Sequence, residues 1–230
     1  MRGQIPDDAR LEIKFVAYET EMPELMRWLR LHPARFDVPY PPRRVNNIYF
    51  DGHEYFAYAE NLSGASNRTK VRYRWYGQQD YPVDGAMEIK CKRNRFSWKQ
   101  NFPITLPSST EGESWRLVRR MMLDQVPSDC TRLMDAYPLP VIINRYYRHY
   151  YVTGDGRVRA TIDCRQVVFD QRYKPLPNVR HPMPDPGTMV MELKFDRGEQ
   201  AYAAQVLQGL PLRVSRHSKY MMGVQSVYGY

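Results

Sequence analysis

The chain has 230 residues, of which 43% are hydrophobic and 13% aromatic, so it can bury a core and does not belong to the intrinsically disordered class. Its 34 Lys and Arg residues against 25 Asp and Glu give a formal charge of +9, which indicates an anionic partner such as nucleic acid, polyphosphate, a nucleotide or an acidic membrane. The sequence shows no secretory signal, no apolar run of the roughly 20 residues that a membrane span needs, and no regular cysteine spacing, so we expect a reducing, cytoplasmic setting.

Alternation of charged and apolar residues with a period of two predicts β-strands along most of the chain. The predicted strands lie at about 10–18, 45–51, 68–76, 86–92, 96–104, 141–152, 157–168 and 188–196. Helices are predicted after Pro23, at about 111–126 behind a Thr110–Glu113 capping box, and at about 199–208. Because no internal repeat and no linker divides the chain, one mainly antiparallel β domain with peripheral helices is the simplest architecture.

Five of the alternating segments carry mostly positive charges on one face. They are 10–14, 68–74, 88–92, 157–163 and 192–196. On a single sheet these charges would face water, but a closed sheet places alternate side chains in one interior. Such an interior would suit a long, highly charged anion, because Arg and Lys make short charge-assisted bonds to phosphate oxygens. The solvent-facing sheet stays open as the alternative.

Eight short motifs occur in order along the chain. They are Glu12-Ile-Lys14, Tyr49-Phe-Asp51, Arg72-Tyr-Arg-Trp-Tyr-Gly77, Glu88-Ile-Lys90, Asn144-Arg145, Val158-Arg-Ala-Thr-Ile-Asp163, Met191-Glu-Leu-Lys194 and Ser218-Lys-Tyr220. Together they resemble the VTC domain, the polyphosphate polymerase branch of the triphosphate tunnel metalloenzymes. The likeness spans about residues 10–224 as a single domain. It implies an α+β fold, mainly antiparallel β, in which an eight-stranded closed β-barrel forms a tunnel with peripheral helices.

The resemblance also implies the residues of the site. The catalytic phosphate ligands would be Lys14, Arg72, Arg74, Lys90, Arg145, Arg159 and Lys219. Further cations on the same strand faces would contact the substrate, namely Arg10, Lys70, Lys92, Lys99, Arg157 and Lys194. Glu192 would hold a divalent metal, Mn or Mg, and Glu12 and Glu88 have suitable faces to contribute.

The implied activity is transfer of the γ-phosphoryl group of ATP onto a growing polyphosphate chain. Arg10 stands where hydrolases of the superfamily begin a Glu-x-Glu-x-Lys strand, and this exchange of a carboxylate for a cation favours phosphate-chain binding over hydrolysis. A triphosphatase and a noncatalytic polyphosphate-binding module stay open as alternatives. A nucleic-acid partner is not expected, because the aromatic residues mostly alternate away from the charges. Relatives couple synthesis to translocation, so a separate membrane protein is a possible partner, and the oligomeric state stays open.

Overall fold

The computed structural model describes residues 10–94, 96–107, 110–184 and 187–228. The strands are β1 (Leu11–Tyr18), β2 (Phe36–Asp37), β3 (Arg43–Asp51), β4 (Asn67–Tyr76), β5 (Gly85–Arg93), β6 (Phe96–Ile104), β7 (Leu139–Thr153), β8 (Val158–Asp170) and β9 (Thr188–Phe195). The helices are α1 (Met22–Leu31), α2 (Phe56–Leu62), α3 (Trp115–Leu123), α4 (Ser128–Asp135), α5 (Gln200–Val206) and α6 (Lys219–Tyr228). The predicted α+β class with mainly antiparallel strands is confirmed.

The strands form one curled antiparallel sheet in the order β1-β9-β8-β7-β3-β4-β5-β6, with β2 paired to β7. In the described residues the two edge strands, β1 and β6, are joined by a single bridge between Arg10 and Ser97. The prediction of an eight-stranded closed barrel is therefore wrong in its closure and its strand count, because the sheet has nine strands and curls into a half-barrel.

A segment after α5 occupies part of the outer edge of β1, which explains why the barrel does not close. Val214 forms an isolated antiparallel bridge with Phe15, and the backbone N–H of Ser215 donates to the carbonyl of Lys14 at 2.8 Å. This segment after α5 satisfies backbone groups that would otherwise be available to β6.

The outer face of the sheet is apolar and is covered by helices. Met122 of α3 and Met134 of α4 belong to one buried cluster, together with Trp75 of β4. Leu29 of α1 and Val206 of α5 belong to a second cluster that covers β1, β8 and β9. Because burial of apolar area drives this packing, the charged face of each strand is turned inward.

Two local expectations about helices are corrected. Helix α3 begins at Trp115 and is capped by Ser114, whose Oγ accepts from the N–H of Leu117 at 3.3 Å. The hydroxyl of Thr110 instead donates to the carbonyl of Pro82 at 2.8 Å, so no capping box forms. The short helices α2, α4 and α6 were not predicted. Among the described residues, none of the helices combines the length and apolar character that a membrane crossing requires.

Candidate functional site

The inner face of the half-barrel lines a cavity of about 540 Å³. Ten of its described lining residues are cations, and two, Glu12 and Glu192, are carboxylates. The cations are Arg10, Lys14, Lys70, Arg72, Arg74, Lys90, Lys99, Arg148, Lys194 and Lys219. A groove of about 780 Å³ between α1 and α5 is larger, but it has a mixed polar and apolar lining. Converging charge therefore identifies the inner cavity as the candidate site.

Strand pairing brings distant parts of the sequence together in this cavity. Lys14 of β1 lies opposite Glu192 of β9. Lys70 of β4 lies opposite Lys90 of β5, and Lys90 lies opposite Lys99 of β6. Directly opposed residues share a face of the sheet, so three lysines form a row across β4, β5 and β6. Like charges in such a row repel each other and favour a bound anion.

A first ionic cluster joins β1 and β9. The Nζ of Lys14 lies 2.9 Å from Glu192 and 3.0 Å from Glu12, and the Nζ of Lys194 lies 3.1 Å from Glu192. Burial by itself raises the pKa of Glu192, but Lys14, Lys194 and Lys219 outweigh it and hold that pKa well below its ordinary value. Burial lowers the pKa of Lys14, but Glu192 and Glu12 outweigh burial and raise it. Lys14 and Glu192 therefore form an ion pair at neutral pH.

A second cluster surrounds Asp163 of β8, whose side chain is fully buried. Its carboxylate accepts from Nε of Arg148 at 2.6 Å and from Nη2 at 2.7 Å, and it lies 2.6 Å from Nζ of Lys219. Burial raises the pKa of Asp163, but Arg148 and Lys219 outweigh it and hold the pKa below its ordinary value. Lys219 also lies 3.8 Å from Glu192, so this cluster is continuous with the first.

A third cluster surrounds Glu88 of β5. Nε of Arg72 donates to one carboxylate oxygen at 2.7 Å, and Nζ of Lys99 donates to the other at 2.8 Å. Arg74 lies 3.9 Å from Glu88 and donates to Asn47 at 2.8 Å. Burial raises the pKa of Glu88, but Arg72, Arg74 and Lys99 outweigh it and hold the pKa below its ordinary value. Glu88 therefore orients the arginine forks of the cavity.

The positive charges of two lysines in the row are only weakly compensated by nearby carboxylates. Nζ of Lys70 donates to Oγ of Ser218 at 2.8 Å, and burial together with the charges of Lys14, Lys90, Arg68 and Arg72 lowers its pKa well below the ordinary value. Burial also lowers the pKa of Lys90, to about 8, although Glu12 at 3.2 Å opposes the shift. A bound polyanion would stabilise the protonated form of both lysines.

Comparison with known proteins identifies the family. The model of the VTC domain matches residues 9–228, nearly the whole chain. The chain belongs to the VTC domain family. No curated protein matches it.

Several solved structures resemble this chain at low sequence identity. A proposed adenylate cyclase from Vibrio parahaemolyticus is 9% identical with a TM-score of 0.51, over 94% of this chain and 97% of that one. A proposed adenylyl cyclase from Hippeastrum with a dominant triphosphatase activity is 12% identical with a TM-score of 0.51, over 93% and 94% of the two chains. The PH1819 protein of Pyrococcus horikoshii is 11% identical with a TM-score of 0.49, over 95% and 98%. The two structures with a TM-score of 0.51 therefore show that this chain shares their fold.

The structure brings nine of the predicted cations into the cavity of the VTC domain. They are Arg10, Lys14, Lys70, Arg72, Arg74, Lys90, Lys99, Lys194 and Lys219. Lys92 and Arg159 are not among the lining residues. Lys92 is half-buried near Arg68, and Arg159 is exposed on β8 opposite Lys194. Their roles stay predictions.

Two further predicted cations lie outside the cavity, and their placement is corrected. Arg145 contacts Asp80 at 3.0 Å and lies 4.6 Å from the centre of the Phe169 ring. Tyr146 and Arg148 line the cavity, so strand alternation puts Arg145 on the opposite face of β7.

Arg157 lies in the turn between β7 and β8 and pairs with Asp155 at 2.9 Å and Glu199 at 3.1 Å. Its guanidinium also lies 3.7 Å from the centre of the Tyr202 ring. In the sequence, Arg157 continues the alternation of β8. The strand begins only at Val158, so Arg157 belongs to the turn and its side chain is not on the inner face.

Several lining residues were missed. Arg148 was not predicted, although it follows the alternation of Tyr146 and pairs with Asp163, the last residue of the motif at 158–163. Five aromatic residues also line the cavity, namely Tyr49, Tyr76, Trp98, Tyr146 and Tyr220. The expectation that aromatic residues alternate away from the charges is wrong for these five.

The carboxylates fit a divalent ion only as a pair. Each of the three carboxylates has both oxygens paired with cations, but Glu12 and Glu192 share Lys14, whereas Glu88 pairs with Arg72 and Lys99 in a separate cluster. Among the described residues, no three Asp, Glu, His or Cys side chains converge as a metal site, so the predicted trio is corrected to a pair. Two carboxylates suit Mg or Mn, because these ions complete their oxygen ligands with water and substrate phosphates.

Proposed function

We propose that this VTC domain is a polyphosphate polymerase that transfers the γ-phosphoryl group of ATP onto a growing polyphosphate chain. The observation that supports the proposal most is the excess of cations in the cavity, ten against two carboxylates in the described lining. Phosphoryl transfer depends mainly on positioning and on stabilisation of charge, and it needs no protein nucleophile.

The residues divide into fixed and responsive groups. Arg72 and Arg74 are held by Glu88 and Asn47, so their forks are oriented before a phosphate binds. Arg148 and Lys219 are held in the same way by Asp163. Such preorganised donors bind phosphate oxygens without a further entropic cost of ordering.

The second group of cations is the lysine row, in which the charges of Lys70 and Lys90 are poorly compensated and Lys99 is paired with Glu88. Lys70 and Lys90 lie side by side in the β4–β5 ladder, and Lys99 continues the row onto β6. We assign these lysines to the phosphate chain, with Lys14 and Lys194 beside the carboxylates Glu12 and Glu192. When bound there, a divalent ion supplies neutralisation of charge on the phosphate oxygens.

A triphosphatase is the second candidate, because a structure with the same fold comes from a protein with dominant triphosphatase activity. A polyphosphate-binding module without turnover is the third. The two carboxylates near Lys14 favour an enzyme over such a module, since anion binding alone gains nothing from negative charge. We also infer a cytoplasmic setting, because Cys91, Cys130 and Cys164 are all free thiols.

The three candidates are separated by their products. Purified protein is incubated with ATP and Mg or Mn, and the products are resolved on a gel and assayed for free phosphate. A ladder of long chains supports the polymerase, free phosphate without chains indicates the triphosphatase, and ATP binding without either product indicates the module.

Two variants control this experiment. Glu192→Gln removes one charge beside Lys14 and is expected to abolish metal-dependent chain synthesis while tripolyphosphate still binds. Arg132→Ala removes an exposed cation of α4 that pairs with Asp129, and it is expected to synthesise chains at the wild-type rate. Chain synthesis by Glu192→Gln at the wild-type rate would exclude Glu192 from the metal site.

A further inference from the structure

Three tyrosines adjoin one part of the cavity, and one of them, Tyr76, lines it. Tyr76 ends β4, lines the cavity together with Arg74 and Arg148, and is 47% exposed. Tyr150 lies two residues beyond Arg148 on β7, and it therefore shares the inner face of the sheet. Tyr40 precedes β3, is 52% exposed, and packs edge-on against Tyr150 with the ring centres 5.7 Å apart.

An arginine completes this rim. The guanidinium of Arg43 lies 5.0 Å from the centre of the Tyr40 ring and 5.8 Å from that of Tyr150. Arg43 lies directly opposite Arg148 in the β3–β7 ladder, so it belongs to the inner face. Within the described part of the chain, Arg43 makes no salt bridge, in contrast to Arg72 and Arg148 in the cavity.

The rim borders the charged part of the cavity. Val45, two residues after Arg43, lies opposite Tyr76 in the β3–β4 ladder. Burial raises the pKa of Tyr150, and Arg148, Tyr76 and Arg43 are its charged or titratable neighbours. Exposed rings that border a charged cavity are informative, because single exposed aromatics are common but grouped ones mark binding sites.

The part of the cavity at the start of α6 offers a different environment. Ser218, Lys219 and Tyr220 line it at the start of α6, and Tyr220 is buried against Tyr49 with ring centres 5.3 Å apart. A bulky planar group therefore finds exposed rings at Tyr40 and Tyr76 and a half-buried ring at Tyr150 on the rim.

We propose that Tyr40, Tyr76, Tyr150 and Arg43 form a nucleobase platform that holds the base of a nucleoside triphosphate whose phosphates lie in the cavity. The proposal rests on the proposed function, since it requires a triphosphate in the cavity. It adds the mouth through which the nucleotide enters and predicts that a nucleoside triphosphate binds more tightly than tripolyphosphate. Because every base has a π-face, stacking on tyrosine and arginine predicts little discrimination between adenine and guanine.

The test compares ATP with tripolyphosphate. Isothermal titration measures both affinities for the wild type, Tyr76→Ala and Tyr76→Phe at one pH and ionic strength. Tyr76→Ala is expected to lower ATP affinity about fivefold or more and to leave tripolyphosphate affinity unchanged, because base stacking is lost and phosphate contacts are kept. Tyr76→Phe keeps the ring and is expected to retain ATP affinity.

A matched control is Tyr173→Ala, which removes a tyrosine that is 98% exposed and distant in sequence from the rim. Melting temperatures check that each variant is folded. Equal losses for ATP and tripolyphosphate in Tyr76→Ala, or no loss for either, would overturn the platform alone. Failure of the folded wild type to bind tripolyphosphate would overturn the proposed function, and the platform with it.

Discussion

The carboxylate of Asp163 offers a direct test of the ionic clusters. It is fully buried and accepts two bonds from Arg148 and one from Lys219, whose side chains are 10% and 6% exposed. Asp163→Asn preserves the shape of the side chain but removes its charge. Two buried cations then lose their counter-ion, with Glu192 at 3.8 Å from Lys219 as the remaining partial compensation.

The expected effect follows from the cost of an uncompensated buried charge. Removal of one partner from a buried ion pair costs about 3–5 kcal/mol, and the nearby Glu192 favours the lower end, about 3 kcal/mol. For a chain of this size each kcal/mol lowers the melting temperature by about 2–4 °C, so a fall of about 6–12 °C is expected. The control Asp129→Asn breaks the exposed pair with Arg132 and is expected to cost about 0–1 kcal/mol.

Denaturant unfolding and thermal melting measure both variants beside the wild type. The folded pKa of Asp163 lies below its ordinary value, so its contribution to stability is present above about pH 4 and is lost as the pH falls through the folded pKa. The difference between wild type and Asp163→Asn should therefore shrink in acid. If Asp163→Asn is no less stable than Asp129→Asn at neutral pH, the buried cluster does not carry the charge compensation described above.

Two other predictions concern Lys90 and Tyr220. Burial lowers the pKa of Lys90 to about 8 against an ordinary 10.5, so the unfolded chain holds this proton more tightly than the folded one. As the pH rises from about 8 to 10.5, the free energy of unfolding of the wild type should therefore increase relative to that of Lys90→Met. If the free energies of unfolding of the two proteins depend equally on pH, the lowered pKa of Lys90 is contradicted. The hydroxyl of Tyr220 donates to the buried Asp51 at 2.5 Å, so Tyr220→Phe should lower the free energy of unfolding by about 1.5–3 kcal/mol and weaken tripolyphosphate binding through the adjacent Lys219. The control Tyr58→Phe keeps its backbone bond to Asp51, and an equal effect of both variants would show that the Tyr220 hydroxyl has no special role.

The sequence by itself determined which faces of most strands are charged. Alternation places Lys14, Arg72, Lys90 and Glu192 on the polar faces of β1, β4, β5 and β9, and the structure has all four in one cavity. This was predictable because the period of two is a local property of extended backbone. Their roles in binding and catalysis stay predictions.

Only the tertiary structure shows which residues of β7 face the cavity. Arg145 and Arg148 are both followed and preceded by aromatic or polar residues, so their sequence surroundings do not distinguish the inward one. Pairing of Arg148 with Asp163 across the β7–β8 ladder places Arg148 in the cavity and leaves Arg145 on the outer face. Cross-strand partners decide which residue faces the cavity, and they are set by register.

The part of the cavity at the start of α6 and the incomplete closure of the barrel also depended on tertiary contacts. Asp51 holds Tyr220 across 169 residues, which places Lys219 beside Asp163. The backbone N–H of Ser215 donates to the carbonyl of Lys14 on the edge of β1, so β1 and β6 do not form a continuous ladder. The residues of a short stretch of sequence predict the conformation of that stretch. Which strand edge a remote segment occupies depends instead on competition between segments for the same backbone donors and acceptors, and that competition is decided only in the folded chain.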